Sequence, residues 1–360
     1  MGLFGSKSKA LVGLDIGSSS VKLCELQAIG KGSSRRYRLQ KLGLAPVPGD
    51  AIVEGDIMDS NAVASAIRQV MAEQKIKAKE VAISVSGQQV MVKKVTFPLM
   101  SPAELAESVR WEAESFFPAG QGLDSYALDY AVLEERAGEG SMDVVLVACR
   151  KDKLEAYTSC VAQAGARAMI VDVDVFALQN AYEANTAPGG SDEVVALVNI
   201  GAHFTNLSML VGNKSVFWRD IPWGGHRFTD KLMEDWGVSR EAAEQLKLGS
   251  TAEGRTPEEI APSLAAISDA FGDELSRTID FFRSSFKVDR LDRVLLAGGS
   301  AKVAGLTDVL ADRLRVSVDR MNPFLLVELD DRSVDPAAAR DIGCAAAVAV
   351  GLALRQVGDR

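Results

Sequence analysis

The sequence has little cysteine and little histidine. Its 360 residues include four cysteines and two histidines, with no Cys-x-x-Cys or Cys/His spacing, which argues against a zinc site. The four cysteines lie far apart in apolar runs, where we expect small buried side chains in a reducing compartment: Cys24, Cys149, Cys160 and Cys344. With only His203 and His226 available, histidine-based catalysis has few candidates.

The chain also lacks an excess of positive charge and a long apolar run. Its net charge of −9 argues against nucleic-acid binding, which needs a basic surface. The most apolar stretch, 342–354, is shorter than the roughly 20 residues that span a bilayer. Because alanine and glycine dominate this stretch, we predict a buried helix in close contact with its neighbours.

Neither end of the chain predicts a membrane anchor. The start, MGLFGSKSK, has no apolar core for a secretory signal. It fits a myristoylation pattern through Gly2 and Ser6, but we interpret it as a polar lead-in. No amphipathic tail follows the last apolar run before Arg360, so we expect membrane association only through a partner.

One pattern occurs twice. LVGLDIGSSSVKLCEL (11–26) and ALVNIGAHFTNLSMLV (196–211) each contain an apolar run, an acid or amide, Ile-Gly, small residues and a second apolar run. Each pattern predicts a strand, a tight turn and a strand, and 360 residues suit two lobes. We therefore predict that two equivalent turns face each other across a cleft and hold one polyphosphate from both sides.

The first turn has the residue types of a phosphate site. Gly17 lets the backbone turn tightly and admits a ligand close to the main chain. Amides and hydroxyls from Ser18, Ser19 and Ser20 line an anion site, and Lys22 supplies a charge for a phosphate. Asp15 suits Mg²⁺ held through its water shell. The alternative for this stretch alone is a plain polar hairpin.

Two further stretches extend this prediction. In LLAGGSAKVAGL (295–306), an apolar strand runs into Gly298, Gly299 and Ser300, where a base or an α-phosphate has room against the backbone. In EAAEQLKLGST (241–251), Glu244 and Lys247 share a helix face and suit ribose hydroxyls. A solvated i,i+3 ion pair is the alternative for these two residues.

Between the two copies, the pattern predicts a small α+β module. A capping box at Ser101 and Glu104 starts a helix, and the predicted order over about 85–170 is β-α-β-β-α-β. Residues 187–192 read as a linker, and 226–287 have an almost wholly helical pattern.

These stretches, in this order, resemble the actin, DnaK-chaperone and sugar-kinase superfamily over nearly the whole chain. The insert resembles that of the FtsA cell-division proteins and the PilM proteins of type IV pilus assembly. The sequence is most similar to the PilM family, through the first 26 residues, VSGQQVMVKKVTFPLMSPAEL and AAAVAVGLALR. It lacks the membrane tail of FtsA proteins.

The resemblance implies an α/β, actin-like ATPase fold of two lobes, each a mixed sheet flanked by helices. It implies a first lobe of 1–86, 169–188 and 338–360, and an inserted subdomain of 87–168. The second lobe comprises 189–226 and 290–337, with a helical subdomain at 227–289. It also implies ATP and Mg²⁺ in the cleft, with Asp15 near the metal and Lys22 on the β/γ phosphates.

The remaining implied contacts follow the motifs. Asn199, Gly201, Ala202, His203 and Phe204 resemble the second phosphate loop. Glu244 and Lys247 resemble the ribose contacts, and Gly298, Gly299 and Ser300 the adenosine motif.

The implied partner is the cytoplasmic N-terminal tail of the inner-membrane protein PilN. It would dock in a groove between the first lobe and residues 87–168, at residues left unassigned. The family links the inner-membrane platform of the pilus to its motor ATPases, at the cytoplasmic face of the inner membrane. Further platform and motor partners, and a ring or homo-oligomer in the assembled machine, are compatible with it.

Asn199 departs from the family pattern, in which hydrolases usually have Asp. An amide holds a Mg²⁺ water shell less well and cannot act as a base. Asp172 and Asp174 remain candidates for orienting water, although Asp174 also suits the N-cap of a helix. We therefore expect tight ATP binding with slow or no turnover; an FtsA-like polymer and a small-molecule kinase remain the alternatives.

Overall fold

The first lobe is built on a six-stranded mixed sheet. The computed structural model describes residues 11–30, 36–117, 122–186, 192–330 and 334–359. The sheet has the order β10-β6-β1-β2-β3-β16. Its strands are β1 (Val12–Ile16), β2 (Ser20–Ile29), β3 (Arg36–Pro46), β6 (Glu80–Val85), β10 (Arg167–Val173) and β16 (Glu328–Leu329). A two-stranded ribbon, β4 (Ile52–Val53) and β5 (Asp56–Ile57), precedes β6.

The second lobe repeats this topology. Its sheet has the order β13-β12-β11-β14-β15, with strands β11 (Val194–Ile200), β12 (Thr205–Val211), β13 (Lys214–Ile221), β14 (Arg293–Ala297) and β15 (Ser317–Arg320). In each lobe an antiparallel hairpin pairs on one side with a third antiparallel strand and on the other with a parallel strand. The predicted duplication and the two-lobed fold class are confirmed.

Ten α-helices occur in the described residues. They are α1 (Ser60–Glu73), α2 (Pro102–Glu114), α3 (Lys151–Gln163), α4 (Asp174–Glu183), α5 (Gly225–Trp236), α6 (Arg240–Lys247), α7 (Pro257–Phe286), α8 (Leu306–Leu314), α9 (Pro336–Ile342) and α10 (Ala347–Ala353). Helices α1 and α3 cover one face of the first sheet. Helices α5 to α8 cover one face of the second sheet, with Phe228, Phe271 and Phe282 fully buried at their contacts.

The insert is smaller than the sequence predicts. Its three-stranded sheet, in the order β7-β9-β8, consists of β7 (Val90–Pro98), β8 (Tyr126–Arg136) and β9 (Ser141–Arg150) and packs against α2. The predicted boundary of 87–168 is corrected, because α3 buries Tyr157 and Cys160 in the first-lobe core and β10 pairs with β6. We therefore call residues 90–150 the insert.

A second correction concerns 290–337, which the resemblance assigns to the second lobe. Within that range β16 pairs in parallel with β3 of the first sheet, so the chain crosses between lobes before α9. The predicted linker at 187–192 lies outside the described residues except for Asp192, and Gly2 and Ser6 also lie outside them.

The last helix is buried, as the sequence predicts, and packs in a core that includes residues of both lobes. All seven residues of α10 are buried, and a core of residues from both sheets surrounds it, including Leu26, Leu197 and Ala297. Among the described residues, no single helix is long and apolar enough to cross a bilayer. The α9 segment and Cys344–Ala353 meet the length and composition criteria only jointly and are bent by 65°.

Candidate functional site

A cleft of about 910 Å³ lies between the lobes, and both predicted turns line it. The two turns close in the same way. The Gly17 N–H donates to the Ser20 carbonyl at 3.1 Å, and the Gly201 N–H donates to the Phe204 carbonyl at 2.9 Å. The duplicated sequence pattern therefore corresponds to two equivalent turns on opposite walls.

Every residue that the sequence assigned to a nucleotide lines this one cleft. They are Asp15, Gly17, Ser18, Ser19, Ser20, Lys22, Asn199, Gly201, Ala202, His203, Phe204, Glu244, Lys247, Gly298, Gly299 and Ser300. Four stretches far apart in the chain thus converge on one space.

The first turn contains a partly enclosed ion pair. Asp15 and Lys22 are register partners across the β1–β2 hairpin, and Lys22 Nζ lies 3.2 Å from Asp15 Oδ2. Burial raises the pKa of Asp15, while Lys22 lowers it and the nearby carboxylate of Asp174 raises it. A Cβ on Gly17 would lie 2.7 Å from Lys22 Nζ, so glycine leaves room for the ammonium.

The second turn is held by the start of α5 and by the Gly-Gly-Ser motif. The Gly201 carbonyl accepts from the Gly225 N–H at 2.9 Å and from Ser300 Oγ at 3.1 Å. At Gly298, φ is +87° and a Cβ would lie 2.3 Å from the Ile200 carbonyl oxygen. Only glycine fits there, because the backbone is left-handed and in contact with a neighbouring strand.

Glu244 and Lys247 do not form a solvated surface pair. Lys247 is buried, with 4% of its surface exposed, and its Nζ lies 2.7 Å from the Glu244 carboxylate. Nζ also donates to Thr229 Oγ1 at 2.9 Å and to the Gly225 carbonyl at 3.3 Å. Burial lowers the pKa of Lys247. The pair therefore ties α6 to the start of α5 at the cleft wall.

The two candidate acids separate. Asp174 lines the cleft, but it is the first residue of α4 and Val173 is the N-cap, so the N-cap interpretation is wrong. Asp172 does not line the cleft. It lies in a second cavity, where its Oδ2 is 3.4 Å from Arg355. The expectation that Asp172 orients water in the cleft is therefore corrected.

Sequence reasoning missed several cleft residues. His226, Arg240, Tyr157 and Asn206 line the cleft. The first three lie outside the recognised motifs, and Asn206 lies in the second copy of the duplicated pattern without having been assigned a role. The rings of His203 and His226 are in edge-on contact, with centroids 4.1 Å apart. Only the scarcity of histidine in the chain signals this pair.

The second cavity, which we call the groove, has a volume of about 400 Å³. It lies between the insert, the β10–α4 region of the first lobe and β13 of the second lobe. In the described part of the chain, four buried polar atoms of its walls lack a hydrogen-bond partner: Asp172 Oδ2, Asn213 Oδ1, Trp218 Nε1 and Arg355 Nε. Asp172 Oδ2 and Arg355 Nε are nevertheless in ion pairs. Buried polar atoms normally find hydrogen-bond partners, so Asn213 Oδ1 and Trp218 Nε1 are left as one acceptor and one donor in the groove wall.

Comparison with known proteins decides the family. Residues 13–357 match the family described as type IV pilus assembly protein PilM. The chain belongs to the PilM family. A solved structure titled as a PilM–PilN type IV pilus biogenesis complex is 30% identical, with a TM-score of 0.83, covering 98% of this chain and 100% of that one.

A second likeness supports the fold alone. The ethanolamine utilization protein EutJ of Carboxydothermus hydrogenoformans is 16% identical, with a TM-score of 0.55, over 96% of this chain and 89% of that protein. This PilM-family chain thus has the actin-like ATPase fold that the sequence predicts.

Across the described ranges, no group of three or more His, Cys, Asp or Glu side chains is placed to hold a metal ion.

Proposed function

We propose that this PilM-family protein binds ATP with Mg²⁺ in the cleft as a structural ligand, and that its groove docks the cytoplasmic N-terminal tail of PilN. In this way it would link the inner-membrane platform of the pilus to the motor ATPases, at the cytoplasmic face of the inner membrane. The observation that carries the proposal is the pair of equivalent turns, Gly17–Ser20 and Gly201–Phe204, on one cleft.

The nucleotide's contacts follow from the lining. The first turn and Lys22 suit the β and γ phosphates, because hydroxyls, amides and an ammonium converge there. The amides of Ala202 to Phe204 approach from the other wall. The Glu244–Lys247 pair suits the ribose, and Gly298 to Ser300 leave space for the adenosine.

The cleft residues fit a hydrated Mg²⁺. Asp15 and Asp174 both line the cleft, and the Asp174 carboxylate is among the groups that raise the pKa of Asp15. Carboxylates that hold water ligands suit this ion. Asp15 and Asp174 would hold the metal, which would neutralise phosphate charge when bound.

The same lining favours slow turnover. Phosphoryl transfer depends on placed charge and an oriented water. Asn199 is neutral and donates to Asn206 at 2.9 Å, so it offers no base. We expect turnover well below about 1 per second.

The groove has features that suit an extended tail. Strands β8 and β10 are edge strands of their sheets, and both line the groove. Edge strands accept an added strand through free backbone groups. Six carboxylates and three basic groups line the groove, and each basic group is ion-paired to one of those acids. A tail with apolar and cationic side chains therefore complements it, and PilN is the named partner in the related complex.

The proposal is tested by calorimetric titration of the full-length protein with ATP–Mg²⁺ and with the N-terminal PilN peptide. We expect saturable 1:1 binding of both ligands. Lys22→Ala should weaken ATP binding about tenfold or more, because it removes a charged contact. Lys231→Ala is the matched control, since Lys231 pairs with Asp235 on the surface of α5. Equal ATP affinity in both variants would refute the cleft assignment.

A further inference from the structure

Three hydrogen bonds connect the cleft to the segment that leads into the insert. Asn199 Nδ2 donates to Asn206 Oδ1 at 2.9 Å, and Asn206 Nδ2 donates to Asp220 Oδ1 at 2.7 Å. The Gly87 N–H donates to Asp220 Oδ2 at 2.7 Å. We call Asn199, Asn206, Asp220 and Gly87 the relay.

The direction of the relay is fixed at one end. A backbone N–H only donates, so Gly87 requires an acceptor at Asp220. Burial raises the pKa of Asp220, while the hydrogen bonds from Asn206 and from the Gly87 N–H lower it. With an N–H donor on each oxygen, Asp220 takes the part of a carboxylate that accepts at both oxygens, so Asn206 presents its amide nitrogen to Asp220. Its oxygen then faces Asn199, which must donate in turn. Asn199 Oδ1 is left on the cleft side, where a Cβ on Gly298 would lie 2.7 Å from it.

The far end of the relay lies where the chain leaves the first lobe for the insert. Gly87 follows β6, has φ of +91°, and a Cβ on it would lie 3.7 Å from the Phe204 ring. Its carbonyl accepts from the Val90 N–H at 2.9 Å, at the start of β7. The relay thus spans the second lobe from the cleft to the base of the insert.

We propose that Asp220 is a positioning residue: it sets the direction of the relay, so that Asn199 presents an acceptor oxygen to the nucleotide cleft. The consequence for ATP rests on the proposed function, whereas the direction of the relay does not. Asp220 touches no ligand in this proposal and acts only through Asn206 and Asn199.

A charge swap tests the direction. In Asn199→Asp, two carboxylates flank the amide of Asn206, which can donate toward only one of them. This variant should lower the midpoint of thermal unfolding by a few degrees. In the double variant N199D/D220N, every member can again be paired in the reverse direction at the same net charge. The double variant should therefore recover stability relative to N199D, which is a non-additive result.

The control variant removes a different contact between the insert and the second lobe. Glu134→Gln removes the exposed Glu134–Lys214 ion pair of 2.7 Å, which joins the insert to β13 outside the relay. N199D/E134Q should be no more stable than N199D. If D220N likewise fails to restore stability to N199D, the proposal is wrong. Should N199D not be soluble, recovery of soluble protein in N199D/D220N, but not in N199D/E134Q, is the same test.

ATP titration supplies a second measurement. D220N alone permits the reversed relay, in which Asn199 turns its NH₂ toward the cleft and its oxygen no longer accepts from the water ligands of Mg²⁺. ATP–Mg²⁺ affinity should then fall about tenfold. N199D/D220N should regain affinity, because the carboxylate at position 199 accepts. Unchanged affinity in D220N would overturn the positioning role. If the wild type does not bind ATP, the proposed function fails, and the stability cycle still decides the direction of the relay.

Discussion

At the residue scale, the two histidines show what burial does to a cleft side chain. Burial, followed by the nearby His203, Arg240 and Lys247, lowers the pKa of His226 from an ordinary value of 6.5 to about 4, against an opposing effect of Glu244. Burial also lowers the pKa of His203. Both rings are therefore neutral near pH 7 and meet edge-on without charge repulsion.

This shift makes stability depend on pH. As pH falls through 6.5, the unfolded chain protonates at His226 while the folded chain does not until about pH 4, so stability is lost over that window. We expect the midpoint of thermal unfolding to fall between pH 6.5 and 4.5, and to fall less in His226→Gln. Scanning calorimetry at half-unit steps of pH checks this, and parallel profiles for the two proteins would contradict it.

Most cleft residues found from sequence belong to turns or strand ends, whose local pattern fixes their geometry; Glu244 and Lys247 on α6 are the exceptions. Asp15, Gly17 and Gly201 could be predicted because the same strand–turn–strand pattern occurs twice. His226 and Arg240 could not, since long-range packing of α5 and α6 brings them to the cleft. The sequence analysis placed Asp172 at the wrong site. The alternation of β10 ends at Val173, and the start of α4 directs Asp174, rather than Asp172, toward the cleft.

At the scale of elements, close packing fixes the position of α10 against α4 and β1 of the first lobe. A Cβ on Gly351 would lie 1.7 Å from the Ala177 carbonyl oxygen of α4, and one on Gly13 would lie 2.0 Å from the Ala349 carbonyl oxygen. These distances require glycine, because the helix and its neighbours meet backbone to backbone.

Gly351→Ala should therefore be strongly destabilising. Overpacking costs about 1–3 kcal/mol where side chains yield, and here the obstacle is backbone, so we expect the upper end of that range or more. Gly138→Ala is the control, since a Cβ there meets no atom within 4 Å. Urea unfolding of both variants measures the difference, and equal midpoints would show that α10 shifts freely.

The elements themselves were largely predictable, whereas their partners were not. The capping box predicts the start of α2 and forms between Ser101 and Glu104, and the helical pattern of 226–287 corresponds to α5, α6 and α7. No local signal showed that α3 packs on the first lobe rather than on the insert. The pairing of β16 with β3 of the first sheet could not be predicted either, because a strand of two residues has no hydrophobic periodicity.

At the scale of the whole molecule, the two lobes meet at α10 and are separated by the cleft. A ligand that touches Gly17–Ser20 and Gly201–Phe204 together bridges both lobes. It therefore binds the closed arrangement better than an open one and shifts the population toward it. The groove depends on the same arrangement, because β13 of the second lobe forms one of its walls.

Linkage then couples the two ligands. We expect saturating ATP–Mg²⁺ to raise the affinity for the PilN N-terminal peptide about fivefold or more. Asp15→Ala, which weakens nucleotide binding, should bind the peptide at sub-saturating ATP with the affinity of the nucleotide-free wild type. Asp235→Asn changes a carboxylate on the surface of α5 and should retain the full ATP effect.

Peptide affinities measured by fluorescence anisotropy at several ATP concentrations give the coupling directly. If both ligands bind the wild type but the peptide affinity is the same with and without ATP, the lobes do not communicate through closure, and the groove is a rigid docking site.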